Sequence, residues 1–473
     1  MDEQEKIERL REIRLIITEV LMFVAVVALV GVLTLVVMGY SFNLKGISRE
    51  DEELVERTGL VQISSLPTGA TITLDGEVPL LLRTNGSRTM RVGEHTITLS
   101  REGYDTWEKT VTVSEGMMYR INYPRLFLKE RETETVLELK PAEAVAVSPN
   151  KEKMLIVQEG RLYYIELNSA KPVLKPIVLK DTEGNVVKIT TLTGVEWSGN
   201  SERVLGLLNG KRVVFSVRST ADVVELAGEY REVTFETEAG ERLLLLRQTG
   251  ELVEFDLRTK SFTALAKNVV RYDNDGDRIL YLTTTKDPET EEEKYEVRAL
   301  RIGAAESYLV RYTTNPEAQI RTMRYFEDTY YGILDAGKLK VYYSATWADA
   351  EWGIEKVFEA EVGENAGKLE KRGKGMVFAL EADREGGHYA EVFDIEAMKL
   401  TGFMLTGKTG WIDEYLRFVT RDGKLEVVDY DGLNQRVLTE EGVDAEGLVT
   451  ISGNSRYLYY FTTNGALVRE KIN

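Results

Sequence analysis

One unit recurs eight times between residues 129 and 473. It is an apolar run of strand length, a turn centred on glycine, and a second run carrying aromatic residues. The first copy reads Met154–Val157, Glu159-Gly160, Leu162–Ile165, and the second Val204–Leu208, Asn209-Gly210, Val213–Val217. The turns fall at Gly160, Gly210, Gly250, a long loop around position 290, Gly337, Gly386, Gly423 and Gly465, a mean step of about 44 residues. A shorter run precedes most copies, clearest at Ala144–Val147, Gly194–Trp197, Val233–Phe235, Val269–Tyr272, Arg321–Tyr325, Thr409–Ile412 and Leu448–Ile451. Such a unit cannot bury its apolar faces alone, so neighbouring copies must stack.

The period constrains the architecture. A four-stranded propeller blade takes roughly 40–50 residues, so 129–473 is expected to form a β-propeller of about eight blades, or seven if two of the less regular repeats merge. The eighth copy ends at Ile472 without an outer strand, while Thr133–Lys140 lies ahead of the first inner strand without a partner. Thr133–Lys140 is therefore expected to complete the last blade and close the ring, leaving only short edges. In blade layout, and in turns such as Ser148-Pro149-Asn150, the region resembles the TolB/WD40-like propellers.

Ahead of the repeats lies Val20–Phe42, a 23-residue run without a charged side chain. As a helix it would cover about 34 Å, against a hydrocarbon core of about 30 Å. It is read as a transmembrane helix; a buried core helix and a cleaved signal peptide are the alternatives. The run is longer than a signal-peptide apolar region and ends without a cleavage pattern. Tyr40 suits an interfacial anchor. Residues 1–19 read as a charged leader helix, with Lys6, Arg9, Arg11 and Arg14 favouring a cytoplasmic N-terminus, against Lys45, Arg49 and Arg57 on the far side. The expected location is thus the cell membrane, crossed once, with the bulk of the chain extracytoplasmic. Residues 43–58 read as a linker.

Residues 59–128 change character. Strand-like segments at Leu60–Ile63, Thr71–Leu74, His95–Leu99 and Lys109–Val113 are separated by turns at Pro67-Thr68-Gly69, Asp75-Gly76 and Val92-Gly93, which predicts a small antiparallel sandwich. The order Ser65-Leu66-Pro67-Thr68-Gly69-Ala70, Leu74-Asp75-Gly76, Val92-Gly93-Glu94-His95, Glu102-Gly103-Tyr104 and Val111-Thr112-Val113 resembles the PEGA domain. Pro67–Ala70 stands where the family has P-E-G-A. Thr68 replaces its Glu, Val92 its usual Pro, and Glu77–Met90 diverges. The resemblance implies a small extracytoplasmic β-module of bacterial envelope proteins and no catalysis. Trp107 is expected in the core, its alternative being a ligand platform.

The fold class is therefore mainly β: an N-terminal transmembrane helix, a PEGA-like β-sandwich and a C-terminal β-propeller. The net charge of −18, most of it on 129–473, argues against nucleic acid or anionic lipid as partner. No cysteine is present, which excludes disulfides, thiolate nucleophiles and Cys-containing zinc sites. Asp273, Asp275 and Asp277, in Asp273-Asn274-Asp275-Gly276-Asp277, are the candidate metal ligands, weighed against a solvated turn. The acidic stretch Lys286–Lys294 reads as a solvated loop. Trp347 and Trp352, in an insertion of the fifth repeat, are the candidate partner-binding residues. His95 and His388 lie in different modules without visible catalytic company. No cofactor is expected. The expected function is a non-catalytic, membrane-anchored envelope protein that binds or scaffolds a cell-wall polymer or an envelope protein. The alternative is a glycan or peptide hydrolase with carboxylates in the propeller funnel.

Overall fold

The computed structural model describes all residues except 1–2, 38–39, 43–54, 79–82, 139–143, 219, 237–238, 287–292, 346–352, 363–366 and 373–376. They form two compact units, 1–127 and 128–473.

The first unit begins with a helix over Glu3–Val37, so the charged leader and the apolar run share one helix. Its apolar part, Arg14–Leu35, has 22 residues and buries none of its surface, which excludes a core helix. At about 1.5 Å per residue it is long enough to cross a bilayer. Thr18 and Thr34 return their hydroxyls to the carbonyls of Arg14 and Val30, each at 2.8 Å, which satisfies two polar groups on an otherwise apolar surface.

Two expectations need correction here. The apolar helix does not reach Phe42: Tyr40–Phe42 is a strand, paired antiparallel with Val55–Arg57. Tyr40 is thus a sheet residue, not a helix-end anchor. The strand it pairs with, Val55–Ile63, also takes up the end of the expected 43–58 linker. Apolar β-branched and aromatic residues serve either state, and the pairing decides.

The rest of this unit is two small sheets. One joins Tyr40–Phe42, Val55–Ile63 and Gly86–Arg91, with Met118–Ile121 added in parallel to Val55–Ile63; the other joins Thr71–Leu74, Gly93–Ser100 and Trp107–Val113. Val61, Ile63, Ile72, Ile97, Leu99 and Val111 fill the space between them. Trp107 is fully buried, edge-on to Tyr123 at 5.9 Å, so it is core and not a ligand platform. Gly59 is required by packing, since a Cβ there would lie 2.6 Å from the Ser114 carbonyl oxygen.

The second unit is an eight-bladed propeller. Blade 1 runs Ala144–Val147, Lys153–Gln158, Arg161–Glu166, Lys175–Lys180. Blade 2 runs Leu192–Trp197, Arg203–Leu208, Lys211–Ser216, Val224–Glu225, and blade 3 Tyr230–Phe235, Arg242–Arg247, Leu252–Asp256, Phe262–Ala266. Blade 4 is Val269–Asp275, Arg278–Lys286, Glu293–Arg301, Tyr308–Thr313, and blade 5 Gln319–Tyr325, Asp328–Asp335, Lys338–Ser344, Ile354–Glu361. Blade 6 is Lys368–Arg372, Val377–Arg384, Gly387–Asp394, Lys399–Leu405, and blade 7 Lys408–Trp411, Leu416–Arg421, Lys424–Asp429, Arg436–Thr439. In blade 8, Val449–Ile451, Tyr457–Phe461 and Ala466–Lys471 are joined by Thr133–Glu138, the strand expected to close the ring. The hairpin turns are tight because both central residues take positive φ, as at Asn209 (52°) and Gly210 (80°).

Two arginines pin the closure. Arg469 places Nε and Nη2 on Glu134 at 2.8 and 2.6 Å, and its remaining donors reach the Ser169 and Ala170 carbonyls of blade 1. Arg131 binds Glu470 at 2.5 Å and the Leu438 carbonyl of blade 7 at 2.7 Å. Apolar seams join blades 8 and 1 through Met154, Ile156, Tyr459 and Leu467, and blades 3 and 4 through Leu244, Leu246, Tyr272 and Ile279.

Candidate functional site

The inner strands carry an unusual share of ionisable residues, and most of these tie blades together. Glu196 of blade 2 accepts the Phe235 amide of blade 3 at 3.1 Å. Asp273 of blade 4 accepts the Thr322 amide of blade 5 at 2.7 Å, and Asp275 accepts that of Arg324 at 2.7 Å. Side chains two apart on a strand share a face, which is why these two aspartates reach the same neighbour. Gln319 of blade 5 continues the pattern, accepting the Leu369 amide of blade 6 at 2.8 Å and donating to the Gly367 carbonyl at 3.1 Å.

Asp273, Asp275 and Asp277, weighed above as metal ligands against a solvated turn, have other partners. Asp273 also takes a salt bridge from Lys371 at 2.8 Å, and Asp277 points to Arg301 at 3.0 Å. Their carboxylates face separate cationic and amide partners instead of one point in space. No group of three metal-capable side chains occurs among the described residues. Trp347, Trp352 and most of the Lys286–Lys294 loop lie outside the described residues.

Lys371 reaches from blade 6 to blade 4, so the charges converge near the axis. Burial pushes the Glu196 and Glu232 carboxyls up, Glu232 further because of the Asp273 charge; Lys371 opposes the shift at Glu196, and Arg321 and Arg271 oppose it at Glu232. Glu236, at the end of the blade 3 inner strand, is buried with Oε2 unpartnered. Its carboxyl is pushed up to about 7 by burial and then by the Glu254 charge.

A second constellation sits between blades 6 and 7, and sequence reasoning missed it. Glu381 accepts Trp411 Nε1 at 2.6 Å, the Arg417 guanidinium, and His388 Nε2 at 3.1 Å; His388 Nδ1 lies 2.8 Å from Asp383. His388, expected to be without company, has two carboxylates. Arg417 is fully buried, and its guanidinium carbon lies 4.2 Å from the Trp411 ring, with that of Arg372 at 4.4 Å. Stacking on an aromatic face accommodates a guanidinium whose Nε and Nη1 make no hydrogen bond. Burial alone would push the Glu381 carboxyl up. Its bonds from His388 and Trp411 and the Arg417 charge outweigh this and hold it at about 2. The Glu381 hydrogen bond raises the His388 imidazole, against burial.

The turns joining inner to second strands, and third to outer strands, share one face of the propeller. In blades 8, 1 and 2 they repeat one geometry: Ser148, Ser198 and Ser452 donate to Asn150, Asn200 and Asn454 at 2.8, 2.7 and 2.8 Å. Across blades 5, 6 and 7 the same face exposes one large apolar side chain in a turn of each blade. Phe326 is 64% exposed, Met398 39% and Leu433 47%. The turns carrying them are stitched together, since Tyr325 donates to Glu396, and Tyr430 donates to Asp394 at 2.5 Å. Phe326 holds φ at 55°, a strained setting for a bulky residue.

Comparison with known proteins assigns the small module. Residues 58–125 match the PEGA domain. The PEGA match covers the two-sheet module and leaves the propeller unassigned. No curated protein matches the chain. Among solved structures, the C-terminal WD40 domain of Sif2 aligns at 8% identity over 72% of this chain and 98% of its own, with a TM-score of 0.45. Dipeptidyl peptidase 4 of Porphyromonas gingivalis aligns at 11% over 69% and 57%, with a TM-score of 0.44. Oligogalacturonate lyase of Vibrio parahaemolyticus aligns at 10% over 62% and 96%, with a TM-score of 0.37.

Proposed function

We propose that this chain is a non-catalytic, membrane-anchored envelope protein whose propeller docks another envelope protein through the face bearing Phe326, Met398 and Leu433. The observation that carries this is the exposure of Phe326, Met398 and Leu433 on three stitched turns of an acidic unit. Exposed aromatic and Met side chains supply the desolvated centre of a protein interface. The acidic surface disfavours a polyanionic wall polymer, which narrows the two partner classes to protein. Asp273 and Asp275 are engaged in holding blades together, which argues against their acting on substrate. The apolar helix anchors the chain, and the basic leader supports a cytoplasmic N-terminus with the PEGA module and propeller outside.

A photo-crosslinker placed at 326, 398 or 433 of the full chain in cells tests the docking face. One shared adduct, absent from crosslinkers at Gln248 and Thr463 on the opposite turns, is expected. Equal labelling from both faces would overturn the reading. Because the chain lacks cysteine, Thr182→Cys in a blade 1 turn reports orientation without background. It should react with a membrane-impermeant maleimide on intact cells, and protection would reverse the topology.

The hydrolase reading retains one specific support. The raised carboxyls of Glu196 and Glu232 are what a general acid needs. Turnover of envelope glycan or peptide by the full chain, abolished by Glu232→Gln, would favour it.

A further inference from the structure

A very short piece of chain joins the apolar helix to the PEGA module. The helix ends at Val37, and Tyr40 is already the first residue of a sheet strand. Three residues of extended chain span at most about 11 Å, so Tyr40 stays within that distance of the helix end. Tyr40 pairs with Arg57, and its hydroxyl bonds to the Glu115 carboxylate. The chain therefore joins the module beside the turn from Ser114 to Met117, which leads into the strand Met118–Ile121.

The same end of the module exposes apolar side chains. Val92 donates its amide to the Arg57 carbonyl at 3.0 Å, Gly116 donates to the Thr58 carbonyl at 3.0 Å, and Leu60 donates to the Met117 carbonyl at 2.9 Å. Met118 lies opposite Leu60 in the parallel pair. Val92, Met117 and Met118 thus flank the stretch that begins at the partner of Tyr40, and they are 45%, 57% and 41% exposed. Arg57 and Arg91, both exposed, stand at this end too and hold Glu115 and Glu56 at 3.1 and 2.6 Å. Apolar side chains beside long-stemmed arginines suit the boundary between acyl chains and headgroups, where the stems lie along apolar groups and the charged ends stay in water. At the opposite end of the strand Val55–Ile63 lies Leu66, tied to the Pro124 carbonyl and the Leu126 amide near the point where the chain leaves the module.

We propose that the end of the PEGA module bearing Val92, Met117 and Met118 rests on the bilayer, with these three side chains among the lipids of the leaflet from which the helix emerges. The proposal rests on the reading of the apolar helix as a membrane span, and goes beyond it. Lipid is the occupant because that span brings the bilayer to within about 11 Å of Tyr40. Each of the two arginines has a carboxylate partner here, so the contact is apolar in origin and needs no anionic lipid. A module seated in this way cannot swing freely about its short connection to the helix.

The chain lacks cysteine, so Val92→Cys, Met117→Cys and Met118→Cys can each carry one polarity-sensitive fluorophore on the full chain. The labelled chain is placed singly in phosphatidylcholine nanodiscs, with and without a lipid bearing a nitroxide near its headgroup. The nitroxide should quench all three labels about twofold or more, equally at low and high salt, and should spare a label at Leu66→Cys. Met117→Asp with Met118→Asp should halve the quenching at position 92 and leave the melting temperature unchanged, because both side chains are exposed. Quenching at 92, 117 and 118 no greater than at 66 would overturn the proposal. A label shielded from water only when two chains share a disc would assign the patch to a second copy, and would overturn it as well. A label at Leu33→Cys separates the contact from the anchor. Quenching at 33 without quenching at 117 removes the contact and leaves the span standing, and its absence at both overturns the two together.

Discussion

Across blades 1 and 2, one apolar cluster of fourteen buried residues runs from Leu155 and Leu162 to Phe215 and Val217. Between blades 6 and 7 the apolar cluster holds Leu405, Val419 and Val428, and beside it lie Glu381, His388, Trp411 and Arg417. An apolar seam loses stability in proportion to what is removed. A polar seam in a dry place stands or falls with its partners, because any group left unpaired keeps its desolvation penalty.

The sharpest way to break this comparison is Glu381→Ala. It strands Arg417, whose side chain has no exposed surface, and should cost about 3–5 kcal/mol in urea unfolding. Replacing both partners, Glu381→Leu with Arg417→Met, should be close to neutral by the same measurement. A small loss in the single variant would mean that the seam is held by its apolar cluster after all.

Acidity probes the same contrast more gently. The Glu381 carboxyl sits at about 2, below its ordinary 4.5, so its contribution is present above pH 4.5 and is lost as pH falls through 2. At about 1.4 kcal/mol per unit the loss should reach about 3 kcal/mol. His388 is raised from 6.5, so its contribution is complete below pH 6.5 and fades as pH rises through the raised value. Hydrogen-exchange protection in Leu416–Arg421 should therefore peak between about pH 4.5 and 6.5. Protection in Arg203–Leu208 should not follow that profile. The smallest effect belongs to the apolar seam. Ile177→Val should cost about 0.5–1.5 kcal/mol, equally at pH 5 and pH 8.

The blades were legible because each announces itself locally, by a run of strand length, a turn (on glycine in every blade but the fourth) and a second strand. The closing strand was legible by elimination, as Thr133–Glu138 had nothing else to pair with. The inner strand of blade 6 was not. Lys368–Arg372 has one apolar residue among four charged ones, and its charges are met in the strand as Lys371 reaches Asp273 and Arg372 reaches Glu370 and Trp411. The partners of Asp273 were hidden for a related reason. Its amide partner lies 49 residues away on the next blade, and a cluster of alternating carboxylates looks the same whether a cation or a backbone amide satisfies it. The Glu381 constellation draws on four strands, with partners 7, 30 and 36 residues distant, and has no sequence signature. Tyr40–Phe42 failed differently, since its residues suit a membrane helix and a strand equally.

Closing the ring with Thr133–Glu138 imposes a delay on the newly made chain. Glu134 meets Arg469 across 335 residues, so the earliest strand of the propeller waits for the latest. At about 5–20 residues per second, synthesis of that interval takes roughly 20–70 s. Throughout that time the first blade has no blade 8 beside it, and Met154 and Ile156 lack their cover from Tyr459 and Leu467. Unpaired strand edges and uncovered apolar faces of this kind are where nascent β-rich chains misassociate. The interval before closure is therefore when this protein has most need of a chaperone.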